Sequence, residues 1–433
     1  MFSGKSVTWA VLTASALFAG TLSASPAQAM PLPLPTVSPA SAVLPMATTA
    51  TKILSQPASS TTNRYGVSTR TKFSVTASGT SLKYQWQSRT PKAKKWTSIT
   101  GAKSSSYTAK GSKWASGTQF RVVVTGKGGK VTSAAVKLTV RFPSKTPAAD
   151  AQKAFGLTGL RQGVDLSAYQ WAPKKKVKLA AVKSWTGSHG FVVLRAASGA
   201  KPINQPYVNA CTGKKAKTGS KPVDKDCAYA TLADAVSKAK LGLGHYWFNG
   251  WIDSIDTTPG NLFSAGYTPT DSANQFFAWL VKDGKLATAD TDPIVLDVEA
   301  GRAWTTTKSG KKYKLSLRAW NPTEVAEFLT VLKAKLIDSG RRPNLYVYMG
   351  ANAANRIDAG EYVWEPVAPL ARLWVASWGK DNGRVPDAQP LTGPWSEWSL
   401  WQYSSNLRIS GSGVGALDAD LAKADAWTPR VDG

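Results

Sequence analysis

Residues 292–301 read DPIVLDVEAG. A short, β-branched apolar run leads into Asp297, Val298 and Glu299, and a glycine closes the stretch. Such a run, bounded by proline and glycine, reads as a buried strand. Side chains two apart on a strand share a face, so Asp297 and Glu299 point the same way, roughly 7 Å apart along the chain. Both stand at the strand's C-terminal end. Two carboxylates so placed repel, and partial burial adds a desolvation cost, so one holds its proton near neutrality. A protonated acid beside an ionised one is the pair that glycosidic bond cleavage uses.

Around this strand the pattern repeats. Apolar runs at GVDLS, GFVVLRAA, LGLGHYWF, NLYVYMG, RLWVASW and WSLWQYS alternate with helical segments. Two helices announce their starts. Thr268, Pro269 and Asp271 open one, and Asn321, Pro322 and Glu324 open the other, each with a cap, a φ-fixing proline and an acid in the first turn. Buried strands alternating with amphipathic helices predict an α/β domain closed as a modified TIM-like (β/α) barrel, with its chemistry at the C-terminal strand ends. Asp165 ends the first of these strands, with Ser167 and Gln170 close behind, and Asp418 lies in the last segment, ALDADL. Tyr246, Trp247, Tyr348, Trp378, Trp401 and Tyr403 fall near the same ends, where aromatic faces can stack on sugar rings.

The N-terminal third is different. Residues 1–29 have a lysine, an apolar run and a small-x-small ending, the pattern of a secretory signal peptide. Residues 30–62 are rich in Pro, Ser and Thr and read as a linker. From 63 to 141 short period-two runs are separated by Gly- and Ser-rich turns, which predicts an antiparallel β-sandwich. A second linker, 142–160, leads to the catalytic domain, 161–433. The chain has 433 residues, a net charge of +28 and only two histidines, His189 and His245. The charge suits a polyanionic partner. Secretion favours an extracellular one, so nucleic acid and stable membrane insertion are not expected. The two cysteines, Cys211 and Cys227, read as a disulfide in a secreted protein rather than as metal ligands. No metal or other cofactor is called for.

Two resemblances sharpen this reading. Residues 63–141 resemble bacterial immunoglobulin-like domains, with Trp86 in YQWQ at the core position of the third strand and Phe120 in a late strand. Residues 161–427 resemble the glycoside hydrolase family 25 lysozymes of the N,O-diacetylmuramidase type. The segments GVDLSAYQ, FVVLRAASG, GHYWF, PIVLDVEAG, YVYMG, LWVASW, LWQYSS and ALDADL carry that resemblance in order. It implies cleavage of the β-1,4 bond between N-acetylmuramic acid and N-acetylglucosamine in peptidoglycan, with Glu299 as proton donor. It further implies that Asp297, Asp418 and Asp165 are site carboxylates, and that Tyr246, Tyr348, Trp378 and Gln402 contact substrate or shape the site. The chain departs from the family by lacking an acid in Arg195–Gly199, and ALDADL leaves open whether Asp418 or Asp420 faces the pocket.

Three functions stay open on the sequence. One is a secreted or wall-associated muramidase acting on peptidoglycan glycan strands, with anionic wall polymers as further partners. A second is an N-acetylglucosaminidase or chitinase-like glycosidase. The third is a non-catalytic wall binder.

Overall fold

Alternation of inward and outward side chains is what closes the larger domain. The computed structural model describes residues 49–173, 175–199, 211–214, 225–249, 251–254, 268–300, 304–308, 310–356 and 362–429. The expected signal peptide and residues 30–48 of the expected linker lie outside the described residues.

Eight strands form a closed barrel: β1 (Arg161–Leu166), β2 (Phe191–Ser198), β3 (Gly242–Phe248), β4 (Ile294–Asp297), β5 (Leu345–Gly350), β6 (Arg372–Ala376), β7 (Leu400–Leu407) and β8 (Leu417–Ala422). Neighbours from β1 to β7 pair in parallel. β8 closes the ring antiparallel to both β7 and β1. Every strand splits its side chains between two layers. Phe191, Val193, Val295, Tyr346, Trp374 and Leu400 fill the barrel's inside. Val192, Leu194, Leu296, Val347, Leu373 and Val375 face out to the helices. Continuous apolar strands buried on both faces are what this arrangement requires.

The covering helices are α1 (Leu179–Thr186), α2 (Tyr229–Lys238), α3 (Pro269–Lys282) and α4 (Pro322–Asp338). Both expected caps form. The Thr268 hydroxyl accepts from the Asp271 N–H at 3.0 Å. Asn321 and Glu324 make a reciprocal capping box, with N···O distances of 2.8 and 2.9 Å. Among the described residues no regular α-helix lies between β6 and β7, so this barrel is less regular than a repeating strand–helix ring. A three-stranded sheet, Trp251–Ser254, Lys311–Arg318 and Trp304–Lys308, follows the C-terminal ends of β3 and β4 and was not expected.

The N-terminal domain is all-β. One sheet carries Ser60–Asn63, Val136–Arg141, Gln119–Gly126, Lys83–Arg89 and Thr97–Ser98 in that order, with Gly129–Thr132 paired to Gln119–Gly126. Two-stranded ribbons, Lys52–Ser55 with Thr76–Ser78 and Arg70–Ser74 with Ser106–Lys110, complete it. Trp86 and Phe120 are fully buried at its centre, and Phe73 stacks on Phe120 with ring centroids 5.1 Å apart. Strands at Lys52–Ser55 and Ser60–Asn63 lie inside the segment expected as linker, so β-structure starts earlier than residue 63. The Pro, Ser and Thr content that suggested a linker is equally the content of short edge strands. The second expected linker holds a helix, Pro147–Phe155, ended by Gly156 in the left-handed region.

The all-β domain touches the barrel at the loop after β6 and just past β7, where the Arg408 guanidinium lies 4.7 Å from the Tyr65 ring centre. Val67 N–H donates to the Lys380 carbonyl at 3.1 Å, and Ser144 N–H to the Gly383 carbonyl at 2.8 Å. Gly66, at φ +70°, packs so tightly that a Cβ would fall 2.0 Å from the Asp381 carbonyl oxygen. Gly66→Ala therefore meets both backbone strain and a clash with main chain. We expect it to destabilise the contact by about 2 kcal/mol. Calorimetry of the full chain should show a lowered or split transition, and an unchanged melting curve would refute this role for Gly66.

Candidate active site

The barrel end formed by the C-terminal ends of β1 to β7 and the start of β8 gathers five carboxyl groups. Asp165 ends β1, Asp297 ends β4, and Asp418 and Asp420 lie on β8. Glu299 follows two residues beyond β4. Val298 N–H still bonds to the Tyr348 carbonyl at 2.8 Å, so the extended alternation continues past Asp297. Val298 accordingly packs into the outer core. Antiparallel pairing of β8 sets Asp418 directly across from Asp165, and Asp420 across from Gly163.

One amide organises the group. Gln402, on β7, accepts at Oε1 from Tyr348 OH at 2.9 Å and from Trp378 Nε1 at 2.8 Å. Two donors on one oxygen fix which way the amide points. Its Nε2 therefore faces Asp165 and donates to Oδ2 at 2.8 Å. Below it, Trp374 Nε1 donates to Asp420 Oδ1 at 3.1 Å. Asp420 Oδ2 finds no N–H or hydroxyl donor, but the Asp420 carboxyl stands in hydrogen-bonding contact with Asp165. Two buried carboxyls in such contact hold a proton between them.

The protonation pattern follows from burial. Asp420 is fully buried, and desolvation, reinforced by Asp165 and Asp418, raises it well above the usual carboxylate range. Asp165 is also raised by burial, but the Gln402 and Asp420 hydrogen bonds restrain it to about 6. Asp420 is thus the proton holder and Asp165 the anion of that pair. Asp418 is pushed to about 8, chiefly by burial and then by Asp165, Asp381 and Glu299. Burial raises Asp297 well above its ordinary value, with Glu299 and Asp165 adding repulsion. Glu299 opens to solvent on one side, yet desolvation raises its carboxyl too.

A single guanidinium, Arg195 on β2, tempers Asp165 and Asp297. It is held by Asp226 at 2.9 Å and lies 5.4 Å from the ring centre of Tyr169. Asp226 also accepts from the Ala168 N–H at 2.9 Å, tying the loop after β1 to the segment before α2. Cys227, next in sequence, is bonded to Cys211. The expected disulfide therefore anchors the residue that positions Arg195.

All eight expected site residues converge at this end of the barrel. Tyr246 and Tyr348 are largely buried and pack edge-on to Trp374, at 6.2 and 4.7 Å between centroids. Trp378 is 40 % exposed at the rim. Asp418 keeps some exposure whereas Asp420 has none, which answers the question ALDADL left open: Asp418 faces the opening and Asp420 its floor. Three of the aromatic residues read as sugar platforms are not. Trp247, Trp401 and Tyr403 are fully buried in the layer between strands and helices. The sequence reading missed Tyr169, 74 % exposed beside Arg195. It also passed over Asp226, whose partner lies 31 residues away. His245 is buried outside the mouth, between Tyr229 OH at 2.8 Å and Asp292 at 3.3 Å.

The raised acids make stability pH-dependent. A carboxyl whose folded pKa exceeds its unfolded value binds more protons folded than unfolded between those two values, so stability falls as pH rises through the interval. For Asp418 the interval runs from about 4, the unfolded value, to about 8. Asp418→Asn should melt several degrees above the parent chain at pH 8 and close to it at pH 4. Thermal melts at the two pH values test this, and an equal shift at both would sink it.

Comparison with known proteins identifies two segments. Residues 263–412 match the family described as Glycosyl hydrolases family 25. The match spans β4 to β7 and includes Asp297, Glu299, Tyr348, Trp378 and Gln402. Residues 56–142 match a Domain of unknown function (DUF8696). No curated protein matches the chain. Among solved structures, the Clostridium perfringens spore cortex lytic enzyme SleM is 18% identical over 62% of this chain and 68% of that one, with a TM-score of 0.38. A bacterial lysozyme from Streptomyces coelicolor is 20% identical over 61% and 92%, TM-score 0.38. The catalytic domain of endolysin ply40 from bacteriophage P40 of Listeria monocytogenes is 20% identical over 63% and 97%, TM-score 0.37. Residues 263–412, which carry Asp297 and Glu299, are thus a family 25 glycosyl hydrolase segment, and the chain is a glycoside hydrolase.

Proposed function

We propose that the protein is a secreted lysozyme that cleaves the β-1,4 bond between N-acetylmuramic acid and N-acetylglucosamine in peptidoglycan. The observation that carries this reading is the Asp297–Glu299 pair at the barrel mouth, together with the unpaired oxygen of Asp297. Asp297 Oδ1 is buried and has no hydrogen-bond donor. An unsatisfied buried acceptor beside a raised acid suits a ligand that brings its own N–H.

In this mechanism Glu299 gives its proton to the glycosidic oxygen as the bond to the anomeric carbon breaks. Desolvation raises its carboxyl above the ordinary value, which favours the protonated form a donor needs. Asp297 accepts the N–H of the substrate's acetamido group and turns the acetamido carbonyl oxygen toward the anomeric carbon. That oxygen closes on the carbon, and the resulting oxazolinium is stabilised by the Asp297 anion. Accepting the N–H favours ionised Asp297, opposing the desolvation that raises it in the empty site. Glu299, now deprotonated, takes a proton from the water that opens the ring. Asp165 contributes negative charge behind the developing cation, with the protonated Asp418 across from it. Gln402 sets the position of Asp165, and Trp378 offers a ring face at the rim. None of these steps calls for a cofactor.

We assign the N-terminal domain to the immunoglobulin-like class on its layered sheets and the buried Trp86. The basic n-region and small-x-small ending of residues 1–29 support export, and anionic wall polymers would be the further partners of so basic a chain.

Two measurements test the reading. Digestion of purified peptidoglycan followed by reduction should yield new reduced muramic acid ends by mass spectrometry. Reduced glucosamine would move the enzyme to the glucosaminidase class, and no new ends would make it a binder. Glu299→Gln should fold normally and lose about a thousandfold in turnover, the scale of a lost general acid. Activity within tenfold of the parent would remove Glu299 from the donor role.

A further inference from the structure

The chain's charge is not spread evenly. Between residues 49 and 145 there are 18 Lys or Arg and no Asp or Glu; the first acid in the whole sequence is Asp150. The sandwich therefore supplies 18 of the +28 net charges. No cation on it has an acid of its own domain to pair with. Such a surface keeps a positive potential at short range, where salt screening is weakest.

One face of the sandwich also has built geometry. On the strands Lys83–Arg89 and Gln119–Gly126, Trp86, Phe120 and Val122 point into the core, so the alternate residues face out. Arg89 stands directly across from Gln119, and Gln87 across from Arg121. Each guanidinium is fixed by the opposite amide: Arg89 Nε donates to Gln119 Oε1 at 3.1 Å, and Arg121 Nε to Gln87 Oε1 at 2.8 Å. Both then lie against one half-buried ring, Trp96, at 4.8 and 4.3 Å from its centroid. Lys137 adds a charge across from Gln119 on the far side. Two guanidinium groups held by neutral amides and an aromatic face keep their charge uncompensated and lose little rotamer freedom on meeting a ligand. This is the arrangement that planar, bidentate recognition of phosphate oxygens needs.

We infer that the Arg89–Trp96–Arg121 face of the sandwich is a binding site for a phosphodiester-linked anionic polymer of the cell wall. The shared chemistry is a repeating phosphodiester, which nucleic acid also carries. The wall is assigned as the source because the adjoining barrel is read as acting on peptidoglycan, and the proposal rests on that reading for the source alone. The role of the site is to hold the enzyme on the wall while the barrel mouth works on neighbouring glycan.

The test uses the full-length chain and two wall preparations, native walls and walls stripped of anionic polymer by acid. Arg89→Gln with Arg121→Gln removes both forks from the surface without touching the core. Lys52→Gln with Lys72→Gln removes the same charge from exposed positions elsewhere on the domain. Cosedimentation should show the parent retained on native walls and poorly on stripped ones. The double arginine variant should bind native walls about tenfold more weakly, the scale of two lost charge-assisted contacts. The lysine control should lose much less, and soluble poly(glycerol phosphate) should release the parent. Equal losses in the two variants, or equal retention of the parent on both preparations, would overturn the site. Release by duplex DNA at a lower phosphate concentration than by poly(glycerol phosphate) would reassign the face to nucleic acid and overturn the proposal. Hydrolysis of the stripped walls is scored separately. Its absence would count against the peptidoglycan reading and leave the binding result intact.

Discussion

Burying several carboxyl groups together is the constraint around which this barrel is organised. Asp165, Asp297 and Asp420 are all nearly or wholly buried, with Asp418 and Glu299 close by. A cluster of that many anions in a medium of low polarity would repel itself severely. The structure answers in three ways. Protons stay on the deepest members, because burial raises their affinity for them. Arg195 offers one counter-charge, itself held by Asp226. Neutral donors, the Gln402 amide and the Trp374 indole, satisfy Asp165 and Asp420 at no cost in net charge. The aromatic filling of the barrel matters here, since Tyr348 and Trp374 supply both the dry surroundings and the hydrogen-bond donors.

The same network reaches the domain boundary. Trp378 donates to Gln402, and three residues later Asp381 accepts from Ser404 Oγ, Ser405 N–H and Oγ, and Asn406 Nδ2 at 2.6 to 2.9 Å. That carboxylate staples the loop after β6 to the end of β7. The all-β domain grips the loop from its other side through Gly66 and Val67, and the segment that follows it does so through Ser144. A loop whose inner face carries a rim residue and whose outer face carries a domain contact transmits position between them. The geometry of Trp378 is thereby set by contacts on both sides of the loop rather than by the barrel alone.

Much of this is legible in the amino-acid sequence itself. Apolar runs mark all seven parallel strands, two of them ending in acids, and the Thr268 and Asn321 caps mark two helix starts to the residue. What sequence could not give was the side of each strand that faces the barrel's inside. Period two says that Trp401 and Tyr403 share a face, but not which face, and both turned outward while Gln402 turned in. The antiparallel return of β8 was equally invisible, and with it the pairing of Asp418 with Asp165. Arg195 carries no role that the sequence alone assigns. Its meaning depended on Asp226, brought to it by the disulfide-bonded segment, and no local pattern predicts an ion pair across that distance.

The two domains pose opposite electrostatic problems that fit together. Five ionised carboxyls in one mouth would repel any polyanion, however basic the other domain. Protons held by Asp420 and Asp418 lower that negative charge while leaving Asp165 ionised, so the mouth offers a localised anion instead of a broad repulsive field. The sandwich does the reverse: it carries cations with no acid in its sequence to quench them, and it holds two in place with glutamine rather than with carboxylate. The carboxyl cluster and the unquenched cations thus sit on separate surfaces, and neither set of charges cancels the other.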